Sequence, residues 1–364
     1  MTSNYLDKIQ IKNFKNLEEK TLNFSNHINC IFGNNGNGKT NLLEAIYYLL
    51  HRKSFKKKTT FQQIINVECE KPEILFLSSL VFQDEKISVS SKILPEESYW
   101  YLNNEPKKFN SIKALVISPF DSNLFHTDSQ FRRQWIDQLL SALSPRYKAD
   151  LSNYKKCLKF RNSLLQKKPY RFEEQIISND ENFVKYNISL AHLREELLNE
   201  LNQYCSKTFK IIFSDSHNLR LYQESSIKNL NTDQLLSLYK NELQNDILTG
   251  RTRTGVHREN FLFDFDGYNS LEYCSLGQQK MSFLSLVFAY IELFRYKLGT
   301  YPIVLMDDVS GELDRQRWLN LIKFLESKSF QVFITTANEN FKEELELIER
   351  AKKFFIEDGK FSEY

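Results

Sequence analysis

The sequence predicts an α/β fold, with mixed sheets and flanking helices interrupted by an inserted helical arm. Three observations carry that reading. A short apolar strand over residues 28–32 runs straight into a glycine-rich turn and then an amphipathic helix over 41–50. A second apolar strand, 303–306, lies near the other end of the chain and closes on two acids. Between them, from 121 to about 244, apolar residues recur at helical spacing. The two ends, 1–120 and 245–364, are therefore expected to build one discontinuous domain. Residues 121–244 form the arm, and a helix over 275–297 lies at the junction.

Taken in order, residues 8–14 alternate, with Ile9 and Ile11 apolar, and predict a strand followed by another over 22–24. Residues 76–82 and 86–93 predict two strands with Gln83 and Asp84 as the turn. Segments 134–143, 148–165, 183–209 and 232–244 have helical spacing and polar faces, without heptads long enough for an extended coiled coil. The chain then returns to α/β character, with helices over 278–297 and 317–326 and strands over 331–335 and 354–357.

Composition narrows the class. The 364 residues are 41% hydrophobic and 26% charged, the balance of a globular protein with a sizeable core. Asp7, Lys8, Lys12 and Lys15 leave the N-terminus without the apolar run of a signal peptide. The longest apolar stretch, 283–294, is short and contains Glu292, so no membrane span is expected. Five scattered cysteines lack zinc-site spacing and fit reduced thiols in a cytoplasmic protein. Net charge is only +3, yet basic residues cluster at 51–58, at 155–171, and at Arg251 and Arg253. One such cluster is ordinarily a solvated face; three on a near-neutral chain suit a positive surface for a phosphate backbone.

Glycine is the most unevenly used residue. Of ten, Gly33, Gly36 and Gly38 fall within six positions, and none lies between Thr40 and Thr249. The run Gly33-Asn34-Asn35-Gly36-Asn37-Gly38-Lys39-Thr40, between a strand and a helix, is the pattern of a P-loop. Its glycines let successive backbone N–H groups face a β-phosphate, and the helix N-terminus adds positive potential. Lys39 would reach the β- and γ-phosphates, and the Thr40 hydroxyl would ligate Mg²⁺. A P-loop also needs a carboxylate from a second strand, which Asp307 and Asp308 supply at the end of 303–306. Asp307 is expected on the metal and Asp308 near the γ-phosphate, placed to polarise an attacking water. Ser275, in Cys274-Ser275-Leu276-Gly277-Gln278-Gln279-Lys280, can cap the next helix, and Gly277 with the free N–H groups offers a second anion site.

The order of P-loop, Ser-x-Gly-Gln-Gln signature, apolar strand with Asp-Asp, and the Gly-Glu-Leu-Asp loop at 311–314 resembles the ABC-type ATPase heads of the SMC (structural maintenance of chromosomes) class. Within that class it is similar to the RecF family of bacterial recombination proteins. The similarity runs nearly end to end: Asn13-Phe14-Lys15-Asn16-Leu17, Asn41-Leu42-Leu43-Glu44-Ala45, Ser54-Phe55-Lys56, Arg161-Asn162-Ser163-Leu164-Leu165 and Gly255-Val256-His257-Arg258. Lys15 stands where the family usually has arginine, and Val256 where it has proline. The resemblance implies ATP and Mg²⁺ as cofactors, with Asn41 joining residues 33–40 around the nucleotide. It implies an ATP-dependent homodimer in which Ser275 and Gly277 contact the γ-phosphate held by the partner's Lys39. Slow, DNA-stimulated hydrolysis, binding to double-stranded and gapped DNA, and the mediator proteins RecO and RecR as partners are implied too. Arg52, Lys56, Lys57 and Lys58, with some of 155–168, are the candidate phosphate contacts.

Rival readings fare worse. A transporter ATPase would carry its signature sooner after the P-loop, whereas 267 residues intervene between Lys39 and Asp307. An ATP-gated nuclease would need a metal-binding domain after the last ATPase strand, for which no room is expected before Tyr364.

Overall fold

Ile28–Phe32 is buried at every position and runs through the middle of a parallel sheet. In the computed structural model, which describes residues 4–56, 58–109, 111–213, 216–309, 313–337 and 339–363, that sheet has six strands among the described residues. Their order is Lys360–Glu363, Lys352–Glu357, Ile28–Phe32, Val332–Thr336, Ile303–Asp307, Ala114–Ile117. Only the outermost hairpin strand, Lys360–Glu363, is antiparallel to its neighbour. Inner strands of a parallel sheet are covered on both faces, which is why these segments read as unbroken apolar runs. Register sets Thr335 beside both Ile31 and Asp307. The strand ends from which the glycine turn and the acids emerge therefore lie together.

A second, antiparallel sheet runs Thr21–Asn23, Tyr5–Lys12, Ile74–Phe82, Glu85–Ile93, Ser98–Leu102, Glu105–Pro106. Gln83 and Asp84 join two of its strands with φ of 53° and 69°, the paired left-handed geometry of a tight hairpin. The helix Lys39–His51 buries Leu42, Leu43, Ala45, Ile46, Leu49 and Leu50 in a core that also contains Phe14, Phe76 and Phe333. These elements belong to one compact unit, residues 1–122, 211–214 and 294–364.

The other unit comprises residues 123–210 and 215–293. It holds the helices Ser129–Leu143, Pro145–Lys167 and Thr232–Thr249, most of the 41-residue helix Phe172–Ile212, and a three-stranded sheet. That sheet places Leu219–Glu224 against Asn260–Phe265, so a strand lies inside the segment read as a helical arm, between the helices expected over 183–209 and 232–244. Only Leu219 and Leu221 face its core, too short an alternation to stand out from the sequence. The helix expected over 183–209 also starts earlier, at Phe172, because Phe172 and Ile176 pack against Leu164, Leu165 and Leu243. Leu276–Leu298 begins in this unit and ends in the first. No helix among the described residues is long and apolar enough to cross a membrane. Lys57 and residues 310–312, the start of the Gly-Glu-Leu-Asp loop included, lie outside the described residues.

Candidate nucleotide site

The glycine turn opens at Gly33, directly after Phe32, and closes at the helix N-terminus. Gly33, Gly36 and Gly38 have φ of 150°, 87° and 111°. A β-carbon on Gly33 would stand 2.3 Å from the Ile356 carbonyl oxygen, and one on Gly38 would press on Asn16 and Ile356 at 3.1 Å, while Gly36 faces open space. Two glycines thus allow close packing beneath the turn and the third keeps a side open. Lys39 Nζ arches back to donate to the carbonyls of Gly33 (2.7 Å) and Asn34 (3.0 Å). Burial lowers its pKa, against the pull of Asp308 and Asp307. Asn35 is exposed on the same turn.

The acidic strand meets this turn directly. Thr40 Oγ1 lies 2.9 Å from both carboxylate oxygens of Asp307. Thr335 Oγ1 donates to Asp307 Oδ1 at 2.9 Å and accepts the Asp308 N–H at 3.0 Å. Burial pushes the Asp307 carboxyl above its ordinary range, although hydrogen bonds from Thr40 and Thr335 act the other way. A buried, charge-starved carboxylate beside a hydroxyl suits a hard divalent cation, which takes oxygen ligands. Asp308 adopts φ 51°, an uncommon backbone state for a non-glycine residue and one that functional sites often hold. The residues present therefore fit Mg²⁺ and a triphosphate: an ammonium, a hydroxyl–carboxylate pair, and helix N-terminal N–H groups that have no carbonyl partner within the helix.

Behind the turn lies a polar cluster built on Glu44, Lys15 and Ser54, which motif chemistry does not single out. Glu44, with a fully buried side chain, accepts from Lys15 and Ser54 and sits 3.4 Å from Lys56 Nζ. Burial opposes its charge, yet these partners hold its carboxyl below the ordinary range. Asn41 bridges the same group, its Nδ2 donating to Asn16 Oδ1 at 2.8 Å and its Oδ1 accepting from Lys15 Nζ at 3.3 Å. The C-terminal hairpin docks from below. Gly359 N–H donates to the Asn37 carbonyl at 2.9 Å, and Asn37 Nδ2 to the Ile356 carbonyl at 3.4 Å. Of the other basic candidates, Arg52 ends the helix with φ 57° and its guanidinium lies 6.0 Å from the Trp100 ring centroid, while Lys58 is exposed.

Ser275 and Gly277 belong to the second unit. Ser275 is exposed and forms a reciprocal cap: Gln278 N–H donates to Ser275 Oγ at 3.3 Å, and Ser275 N–H to Gln278 Oε1 at 2.9 Å. Gln279 Nε2 donates to the carbonyls of Ser270 (3.0 Å) and Cys274 (3.3 Å), pinning the turn before the helix. The two glutamines thus hold Ser275 at a helix start with its hydroxyl at the surface. His257 is half-buried, with Nδ1 2.6 Å from Tyr154 Oη and Nε2 3.1 Å from the Thr252 carbonyl.

The family described as "RecF/RecN/SMC N terminal domain" matches residues 5–360. The DNA replication and repair protein RecF of Clostridium tetani is 31% identical over 98% of both chains. The chain belongs to the RecF family. Its fold agrees: a solved structure of "the recombination mediator protein RecF-ATP in RecFOR pathway" superposes with TM-score 0.83 at 27% identity, covering all of this chain and 98% of that one. The Smc head domain of Pyrococcus furiosus, at 16% identity and TM-score 0.58 over 99% and 96% of the two chains, shares the architecture alone. For this RecF-family chain, the end-to-end match takes in both the P-loop unit and the unit carrying Ser275.

Proposed function

We propose that this chain is an ATP-dependent DNA-binding protein of recombinational repair and replication-fork maintenance. ATP joins two copies head to head on double-stranded DNA or at a single-strand/double-strand junction, and slow hydrolysis releases them. The observation that carries this reading is the Thr40–Asp307–Thr335 arrangement beneath the glycine turn, together with Ser275 presented at the surface of the other unit. Tyr273 and Leu276 flank Ser275 with 68% and 73% of their surface open, which suits an apolar contact with a second copy.

The residues divide the work. Backbone N–H groups of residues 33–41 and the Lys39 ammonium bind and orient the phosphates, and Thr40 with Asp307 would hold Mg²⁺. The metal, when bound, neutralises charge developing on the phosphoryl oxygens. Thr335 keeps Asp307 aimed through its hydroxyl. Asp308, held by its own N–H on Thr335, orients the attacking water and takes up its proton. Ser275 and Gly277 of the second copy complete the γ-phosphate contacts, so the nucleotide favours the dimer by binding across two half-sites. Arg52, Lys56, Lys57 and Lys58 are proposed to contact DNA phosphates without reading bases. The relative solved with ATP in the RecFOR pathway supports ATP as ligand, and RecO and RecR as partners. A transporter subunit or ATP-gated nuclease is not favoured by matches to RecF relatives that span both chains.

ATPase activity measured across protein concentration, with and without duplex and gapped DNA, tests the reading. Second-order dependence with DNA stimulation is expected; a DNA-blind ATPase with first-order dependence overturns it.

A further inference from the structure

Two basic clusters, 155–171 and 251–253, are brought together within the second unit. The joint is Arg161, fully buried on the helix Pro145–Lys167. Its Nε donates to Asp180 Oδ1 at 2.8 Å, and its Nη1 to Asp246 Oδ2 at 2.6 Å and Thr252 Oγ1 at 2.9 Å. Asn162 Oδ1 accepts both the N–H and the hydroxyl of Thr252 at 2.8 Å, and Asp246 Oδ1 accepts the Arg253 N–H at 3.1 Å. These bonds lay residues 246–253 along the end of the helix. Exposed Arg251 and Arg253 are thereby fixed beside the helix that carries exposed Lys156, Lys159 and Lys167. Asp180 and Asp246 are buried and committed to Arg161, so neither offsets the exposed cations. The exposed acids nearest in sequence are Glu173 and Glu174, the latter loosely paired with Arg171 at 3.9 Å.

Two aromatic rings stand among these charges. Phe160 is 49% exposed, and its position four residues after Lys156 and seven before Lys167 puts all three on one ridge of the helix. Tyr170 is 84% exposed in the turn that follows, with the Arg171 guanidinium 5.3 Å from its ring centroid. A surface meant only for duplex phosphates needs charge alone, because paired bases keep their faces stacked inside the helix. Open rings between cations suit unpaired bases, whose faces are free to stack, while the cations follow the backbone.

We propose that this part of the second unit is a binding surface for single-stranded DNA, with lysines and arginines on the phosphates and Phe160 and Tyr170 stacked on bases. The proposal deepens the DNA-binding reading above by assigning the unpaired strand its own place.

The test is fluorescence anisotropy of labelled oligothymidylate with the full chain, without nucleotide and with ATP. A separate arm measures duplex binding with ATP. The double variant F160A/Y170A, altered only at exposed rings, is expected to bind oligothymidylate at least tenfold more weakly at unchanged salt slope. Its ATP-dependent duplex binding should match the parent. Lys156→Gln, Lys159→Gln and Lys167→Gln together should lower the salt slope by about 2, at roughly 0.7 for each phosphate no longer neutralised. Parent-like oligothymidylate affinity in F160A/Y170A overturns the proposal. So does equal competition by a polyglutamate peptide, which would make an acidic protein segment the occupant. A parent that binds duplex but not oligothymidylate sinks this surface and leaves the general reading standing; one that binds neither, even with ATP, sinks both.

Discussion

Gly359 offers a sharp perturbation of the nucleotide site from outside it. It closes the C-terminal hairpin with φ 81°, donates its N–H to the Asn37 carbonyl at 2.9 Å and accepts the Glu18 N–H at 3.0 Å. A trans peptide carries its C=O and the following N–H on opposite sides, so holding the Asn37 carbonyl toward the hairpin turns the Gly38 N–H away from it. A β-carbon at 359 would stand 1.7 Å from the Asn16 carbonyl oxygen, which no small adjustment relieves. Gly359→Ala therefore carries the left-handed penalty of ~1–2 kcal/mol and loses two backbone hydrogen bonds of about 1 kcal/mol each, about 3–4 kcal/mol together. Gly299→Ala is the control, because Gly299 has φ 73° with nothing within 4 Å of its added carbon, and only the left-handed penalty applies. Denaturant unfolding should place Gly359→Ala about 2 kcal/mol below Gly299→Ala. Calorimetric titration should find MgATP bound about tenfold more weakly by Gly359→Ala, the loss expected from one misaimed N–H, and at parental affinity by Gly299→Ala. Equal ATP affinity in the two variants would refute the idea that the hairpin aims the phosphate loop.

Two further outcomes follow from buried groups. Arg161→Met strands Asp180 and Asp246 without their cation and should cost about 3–5 kcal/mol in denaturant unfolding, where an exposed lysine substitution such as Lys156→Met should cost almost nothing. Burial holds His51 and His257 down to about 4, so each stays neutral in the folded chain while the unfolded chain protonates near 6.5. Between those values the unfolded state binds more protons, so stability is full above pH ~6.5 and falls as pH drops toward 4. At pH 5 the loss is on the order of 2 kcal/mol per histidine, read as a lower denaturant midpoint than at pH 7.5; a midpoint that does not move would contradict it.

Much of the first unit was legible because its strands are buried on both faces and its turn chemistry is strict. Ile28–Phe32, Ile303–Asp307 and Val332–Thr336 announce themselves as apolar runs, and Gln83-Asp84 as a two-residue turn between alternating segments. Ala114–Ile117 does not, because four apolar residues are too few to tell a strand from any other short apolar run. Asp266-Gly267 and Asp358-Gly359, both with paired positive φ, mark hairpins through an Asp-Gly signal that a search for apolar periodicity passes over. At the site, Lys39, Thr40 and Asp307 follow from motif chemistry. Thr335 and Gly359 do not, since their roles depend on register and on contacts across hundreds of residues. The convergence of residues 155–171 with 251–253 is of the same kind: it depends on one buried arginine that a linear reading counts as part of a basic run.

The nucleotide site is proposed to be shared between two copies. Sedimentation velocity with and without MgATP, on the parent and on Ser275→Arg, tests it most directly. Ser275 is exposed, so the substitution removes a helix cap worth about 1 kcal/mol and leaves the glycine turn untouched. The parent should dimerise only with MgATP, and the variant should bind MgATP with parental affinity yet stay monomeric. A variant that still dimerises with MgATP, or a parent that remains monomeric when saturated with it, would contradict a shared site.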